Sequence, residues 1–198
     1  MPKLRLVGFV GNLRRPSRSR ALVEALGAEI ARQASVDLRV YDILDAGPGF
    51  PATLARADLP LPAARILDAI ESADALIVGT PVYKGAYTGL FKHAFDLLDP
   101  ARLAGKPVAI TATGGGHRHA LVVEHALRPL FGFFAALTVP TAVYAADADF
   151  RFDDNQPVLT DPAVAERLAQ AGSELVTFLE AAGAAARPPA PSLRSARR

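Results

Sequence analysis

The stretch ALIVGTPVYKGAYTGLFKHAFDLLDPARLAGKPVAITA, residues 75–112, decides the fold. Two apolar runs without a charged residue, 75–79 and 107–112, bracket a segment from 88 to 98 that reads as a helix. Short uncharged runs suit strands buried on both faces, the signature of a parallel sheet covered by helices. The same alternation extends outward. Residues 4–10 form a strand-like run broken by Gly11, and Ser17 or Ser19 then opens a helix to about Gln33, with Leu22, Val23, Leu26 and Ile30 at helical spacing. Residues 36–41 alternate as a second strand, 42–62 form a Pro- and Gly-rich excursion, and 63–73 form a helix. Downstream, a helix spans about 119–135, a fifth strand spans 139–145, and a last helix spans 161–182.

Strands that alternate with helices predict right-handed βαβ units. Five of them predict an α/β, flavodoxin-like three-layer fold: a five-stranded parallel sheet of order 2-1-3-4-5 with helices on both faces. Residues 1–182 read as a single domain and 183–198 as a disordered basic tail rich in Pro and Ala.

Composition narrows the function classes. The chain of 198 residues has no Cys, which removes disulfides, thiolate metal sites, Fe–S clusters and Cys nucleophiles together. Its formal charge is +2, but residues 187–198 carry four Arg and no acid, so the remainder stands at −2. A nucleic-acid binder would show a basic domain face rather than a basic terminus, and no nucleic-acid partner is expected. No stretch reaches the ~18 apolar residues of a membrane span. The first residues run directly into a strand, without a separate signal segment, so a cytoplasmic location is expected. The four His lie apart except for His117 and His119, and with no Cys beside them no metal site is expected.

In an open parallel sheet, ligands bind beyond the carboxyl ends of the strands, at the switch point between strands 1 and 3. Three loops meet there. Residues 11–19, GNLRRPSRS, supply hydroxyls, three Arg and a helix N-terminus, a natural anion site, although a solvated loop with an ordinary Ser cap is the plainer alternative. It is neither a P-loop nor a GxGxxG turn. Residues 80–89, TPVYKGAYTG, place two Tyr around a Gly, suited to walling a planar ligand or simply to packing at a strand end. Residues 113–117, TGGGH, set three Gly in a row after a buried strand, which suits close backbone approach by a flat ring or a phosphate, or else a flexible connection. Their convergence matches a flavin mononucleotide, with its phosphate on the first loop and its rings along the other two.

At this point the chain resembles the NAD(P)H-dependent FMN reductases, especially the small reductases that serve alkanesulfonate and methanesulfonate monooxygenases. The resemblance is carried by PSRS at 16–19, TPVYKGAYTGLFKHAFD at 80–96 and ATGGGHRHALVVEHALRP at 112–129, within about 4–150. It implies that Arg14, Ser17, Arg18 and Ser19 hold the FMN phosphate. It implies that Pro81, Val82, Tyr83 and Lys84 border the isoalloxazine and ribityl chain, with backbone N–H groups near Tyr83 and Lys84 reaching the ring. Thr113, Gly114, Gly115, Gly116 and His117 would lie along the pyrimidine side. Relatives often have Gly-Ser-x-Arg where this chain has Gly11-Asn12-Leu13-Arg14, a departure in the first loop. His125 stands where alkanesulfonate-type members carry a Tyr associated with a π-helical insertion at an oligomer interface, and it looks like the methanesulfonate-type variant.

The reaction so implied is hydride transfer from NADPH or NADH to FMN, which needs the two rings held together rather than a protein acid or base. The resemblance further implies a homotetramer or homodimer and a flavin-dependent monooxygenase as partner. The segment around Leu127, Pro129, Leu130, Phe131, Phe133 and Phe134 is apolar on too many sides for one sheet face, which fits an oligomer contact or a deep core helix. Two other functions share the fold: a quinone or azo reductase with tightly held FMN, and a flavodoxin-like electron carrier without NAD(P)H activity. Carriers of that kind tend to be strongly acidic, whereas this domain is near −2.

Overall fold

A computed structural model describes residues 3–185. The main sheet contains β1 (Leu4–Val10), β2 (Val36–Asp42), β3 (Ala75–Pro81) and β4 (Pro107–Gly114), in the order β2-β1-β3-β4. Beyond β4 lie two short strands, β5 (Leu137–Thr138) and β6 (Val143–Ala146), both paired with β4. All of these pairings are parallel. The fold is the expected flavodoxin-like one, with one correction: the fifth position holds two strands, so the sheet has six. The physical cause is local. Pro140 has no N–H for the ladder, and the N–H and hydroxyl of the next residue, Thr141, turn away to donate to Glu174 at 2.7 and 2.8 Å.

Helices cover both faces. On one side lie α2 (Leu61–Ser72), α3 (Gly89–Asp96) and α4 (Arg128–Phe133), over a core dominated by Phe9, Phe91, Phe95 and Phe131. Phe91 and Phe95 have ring centroids 4.8 Å apart, and Phe95 meets Phe131 edge-on at 5.0 Å, the preferred aromatic geometries. On the other side α1 (Arg18–Gln33) and α5 (Pro162–Ala185) bury Leu22, Leu26, Ile30, Leu168 and Leu175. The expectation of a disordered tail from 183 onward falls chiefly on residues 186–198, outside the described residues.

Two glycines let α1 approach the sheet. A Cβ on Gly79 would stand 2.5 Å from Val23 Cγ2 and 2.9 Å from Thr111 Oγ1, and one on Gly8 would stand 2.8 Å from Val23 Cγ1. This close seating brings the N-terminus of α1 beside the carboxyl ends of β3 and β4. Gly79→Ala should therefore overpack the layer and destabilise by about 1–3 kcal/mol, visible as a lower thermal midpoint. An unchanged midpoint would contradict the close-approach account.

The fourth helix departs most from expectation. Instead of one helix over 119–135, the chain makes a 3-10 turn at His117–His119, a π-helical turn at Val123–Leu127, and only then α4. The Arg128 N–H donates to Val123 O, five residues back. Pro129 explains the wider turn: it has no N–H to donate and its ring would crowd the carbonyl of His125 in a regular helix. A hairpin of β7 (Phe150–Asp153) and β8 (Gln156–Leu159) also lies outside the elements expected from the sequence. Its turn residues Asp154 and Asn155 adopt φ of 43° and 61°, which Asp and Asn tolerate well.

Candidate active site

The ends of β1, β3, β4 and β6 lie in register, with Val10 opposite Gly79, Pro81 opposite Thr113, and Gly114 opposite Ala146. The loops leaving these ends form two adjoining open depressions of about 190 and 710 Å³.

The first is built on the β1–α1 loop. Asn12 is buried and its Nδ2 donates to Arg14 O and to Asp42 Oδ2, each at 3.1 Å. Asp42, at the end of β2, is fully buried. Arg15 donates to it bidentately from Nε and Nη2, both at 2.7 Å, and Arg20 Nη1 adds a third contact at 3.1 Å. Burial pushes the Asp42 carboxyl up, but hydrogen bonds from Arg15, Asn12 and Arg20 outweigh it and hold the group below the usual carboxylate range. The same contacts, with Asp45, raise the Arg15 guanidinium further above its ordinary value. Arg15 is thus committed to fixing the loop, and the depression itself is lined by Arg14 and Arg18.

The remaining donors come from the start of α1. Ser17 is the N-cap, its Oγ accepting the Arg20 N–H at 3.2 Å, so its own proton stays available. Ser19 Oγ and Thr113 Oγ1 share a buried hydrogen bond of 2.6 Å that joins the start of α1 to the end of β4. Arg18 Nη1 lies 3.3 Å from Asp147 Oδ1, and its guanidinium sits 4.9 Å from the centroid of Phe152. Two buried polar atoms of residues lining this depression, Arg18 Nε and Asn12 Oδ1, have no hydrogen-bond partner among the described residues. Buried groups of this kind are rare unless a ligand completes them. A donor of positive charge and an acceptor, beside a capped helix N-terminus, suit a phosphate ester carried on a hydroxylated chain.

The β3–α3 loop makes the wall. Val82 N–H donates to Thr113 O at 2.7 Å, joining this loop to the next. Tyr83 and Ala86 exchange backbone bonds of 2.9 and 3.3 Å around Lys84 and Gly85, at φ of 54° and 89°. The Tyr83 N–H is therefore engaged within the turn. Among the described residues, the Lys84 and Gly85 N–H groups carry no intramolecular bond. Tyr83 itself is 43% exposed and borders both depressions. Tyr87 is not part of them; it packs at 6.0 Å from Phe91.

The β4 loop makes the floor. Gly114 is small because Tyr144 demands it: a Cβ there would lie 2.5 Å from the Tyr144 hydroxyl, which donates to Gly116 O at 2.7 Å. Burial, then the charges of Asp147 and Asp149, push that phenol up, so it keeps its proton. Gly115 and Gly116 are different. A Cβ on either would meet nothing within 4 Å, and neither has a positive φ. Nothing among the described residues requires glycine at either position.

Twelve of the sequence-predicted residues thus line the two depressions: Arg14, Ser17, Arg18 and Ser19 from the first loop, Pro81 to Lys84 from the second, and Thr113 to Gly116 from the third. His117 does not join them. It faces a separate depression with Tyr144, Asp149 and Arg167. His125 sits in the π-helical turn, in an apolar groove with Tyr87, Pro129 and Phe133. Sequence reasoning missed Asn12, Asp147 and Phe152 in the first depression, and Arg118 and His119 in the second. Only Asn12 had a signal, its departure from the Gly-Ser-x-Arg pattern. Among the described residues, no group of three or more His, Cys, Asp or Glu is placed to hold a metal ion, and no helix is long and apolar enough to cross a membrane.

Comparison with known proteins agrees with this geometry. The family model described as NADPH-dependent FMN reductase matches residues 4–151. The chain is 48% identical over 158 residues to an FMN reductase (NADPH) of Pseudomonas aeruginosa, covering 80% of this chain and 83% of that one. It is 42% identical over 182 residues to the NADH-dependent FMN reductase SfnF of Pseudomonas putida, covering 89% and 94%. Among solved structures, an oxidoreductase from Corynebacterium diphtheriae superposes with a TM-score of 0.76 at 33% identity, covering 90% of this chain and 98% of that one. The NADH:FMN oxidoreductase EmoB in its apo form gives 0.74 at 28% identity, covering 97% and 94%. With the family model spanning residues 4–151 and these relatives agreeing, the chain belongs to the NADPH-dependent FMN reductase family.

Proposed function

We propose that this FMN reductase binds FMN with the phosphate in the first depression and the rings along the second, and releases the reduced flavin to a partner monooxygenase in sulfonate sulfur assimilation, in the cytoplasm. The observation that carries the placement is the pair of unpartnered buried atoms, Arg18 Nε and Asn12 Oδ1, beside the α1 N-terminus. The bound flavin supplies the hydride acceptor for NADPH or NADH. The protein contributes position and electrostatics. Arg18, Arg14 and the Ser17 hydroxyl anchor the phosphate, Tyr83 and Val82 wall the rings, and the Gly115 and Gly116 backbone lets them lie close. The N–H groups of Gly115 and Gly116, which carry no intramolecular backbone bond among the described residues, would stabilise negative charge on a reduced flavin held beside them. No side chain has to move a proton.

Release of the flavin is supported by the open shape of both depressions and by the half-exposed Tyr83. A homodimer or homotetramer is supported by Phe133, 74% exposed at the end of α4 beside the groove that holds His125. The test is oxidation of NADPH and NADH with FMN, FAD, riboflavin or a quinone as acceptor. Turnover should depend on added flavin, with kcat/KM for FMN at least about tenfold above riboflavin. Turnover that needs a quinone and ignores free flavin would overturn the reading in favour of a quinone reductase.

A further inference from the structure

Asp147 is an unexpected neighbour for a phosphate. It opens a 3-10 turn, Asp147–Asp149, directly after β6. That turn is rigidly held. The Ala146 N–H donates to Asp149 Oδ2 at 2.7 Å, and the Thr160 N–H and hydroxyl donate to Asp149 O at 2.8 and 3.2 Å. Asp149 is buried, and its role is to hold the turn. Asp147 has no comparable structural task. Its carboxylate is about half-exposed, lines the first depression, and among the described residues has Arg18 as its one ion-pair partner, at 3.3 Å. Phe152 of β7 braces the same guanidinium from another side. Arg18 therefore lies between a carboxylate and an aromatic ring, and among the described residues its Nε has no partner.

The consequence follows from charge. Arg15 is already neutralised by Asp42 and Asp45, so the depression offers an incoming phosphomonoester two cations, Arg14 and the Asp147-paired Arg18, and one anion, Asp147 itself. A phosphate carrying nearly two negative charges must compete with Asp147 for Arg18 and then remain in the same depression with it. We propose that Asp147 is an affinity-limiting residue for the phosphate of FMN, a built-in competitor that keeps the flavin exchangeable. The inference rests on the reading of the first depression as the phosphate site. It assigns to one side chain the property a flavin-releasing reductase needs: binding strong enough for turnover, with exchange fast enough for delivery.

The test uses the full chain and compares FMN with riboflavin, which lacks the phosphate, by fluorescence titration and stopped-flow dissociation. Asp147→Asn should bind FMN about three- to tenfold more tightly at low ionic strength, mostly through slower dissociation, with riboflavin unchanged within about twofold. The gain should shrink in about 0.5 M salt, as expected for a partly exposed charge. Asp147→Ala should behave alike, and thermal melts establish that both variants are folded. Unchanged or weaker FMN binding in both variants would overturn the proposal, as would equal changes for FMN and riboflavin. Arg18→Gln distinguishes failure of the phosphate site from failure of the role of Asp147. If it abolishes the preference for FMN over riboflavin while Asp147→Asn changes nothing, the phosphate site stands and the role of Asp147 falls. If Arg18→Gln leaves that preference intact, the phosphate site falls and the proposal falls with it.

Discussion

Replacing Arg18 with glutamine should weaken FMN binding by about 10- to 100-fold while leaving riboflavin within about twofold. A charge-assisted hydrogen bond contributes about 1.5–3 kcal/mol, and each 1.4 kcal/mol is a factor of ten. Arg18 is placed for such a bond: it is the first residue of α1, its Nε is buried without a partner, and Ser17 beside it already caps the helix. The loss should appear in KM for FMN rather than in kcat, because the side chain binds the same phosphate throughout the reaction. Arg15→Gln should behave differently. Its guanidinium is committed to Asp42 and Asp45, so its loss should act through stability and weaken both flavins to a similar degree. Equal losses for FMN and riboflavin in Arg18→Gln would show that Arg18 does not touch the phosphate.

The second large effect is on the fold of the same loop. Asp42→Asn should destabilise the protein by about 2–3 kcal/mol, the lower end of losses from broken buried ion pairs because Arg15 is partly exposed. For a chain of this size that corresponds to a fall of roughly 5–10 °C in the unfolding midpoint. The carboxylate is the common acceptor for Asn12, Arg15 and Arg20 and for the Leu44 and Asp45 N–H groups. Because its folded pKa is depressed, its contribution is present at neutral pH and is lost as pH falls below about 4. The wild-type midpoint should therefore drop steeply in that acid range, and that of Asp42→Asn should drop less. Parallel pH profiles for the two proteins would contradict this role.

What was legible in the sequence and what was not follow from the range of the interactions. The sheet order was readable because uncharged runs such as 75–79 and 107–112 report burial on both faces through local composition. The meeting of the three loops is readable because strand order places them together at the carboxyl ends of β1, β3 and β4. The division of labour among Arg14, Arg15 and Arg18 was not readable. It depends on Asp42 at the end of β2, which captures Arg15, and on Asp147 and Phe152 from beyond β6, which frame Arg18. The hydroxyl pair of Ser19 and Thr113 joins residues 94 positions apart. The broken fourth helix hinges on Pro129, whose missing N–H is visible in the sequence although its apolar neighbours carry the spacing of a continuous helix. His117 was placed by its neighbourhood to the glycines, yet the 3-10 turn that begins with it points it toward Tyr144 and Arg167 instead.

The central claim is that three loops at the carboxyl ends of β1, β3 and β4 form one FMN site with its phosphate at the start of α1. A crystal structure of the protein soaked with FMN tests it most directly. The account predicts phosphate density within hydrogen-bond distance of Arg18 and Ser17, with the ring system against Tyr83, Gly115 and Gly116. Phosphate density at Lys84 and Arg118 instead, with the first depression empty, would contradict it.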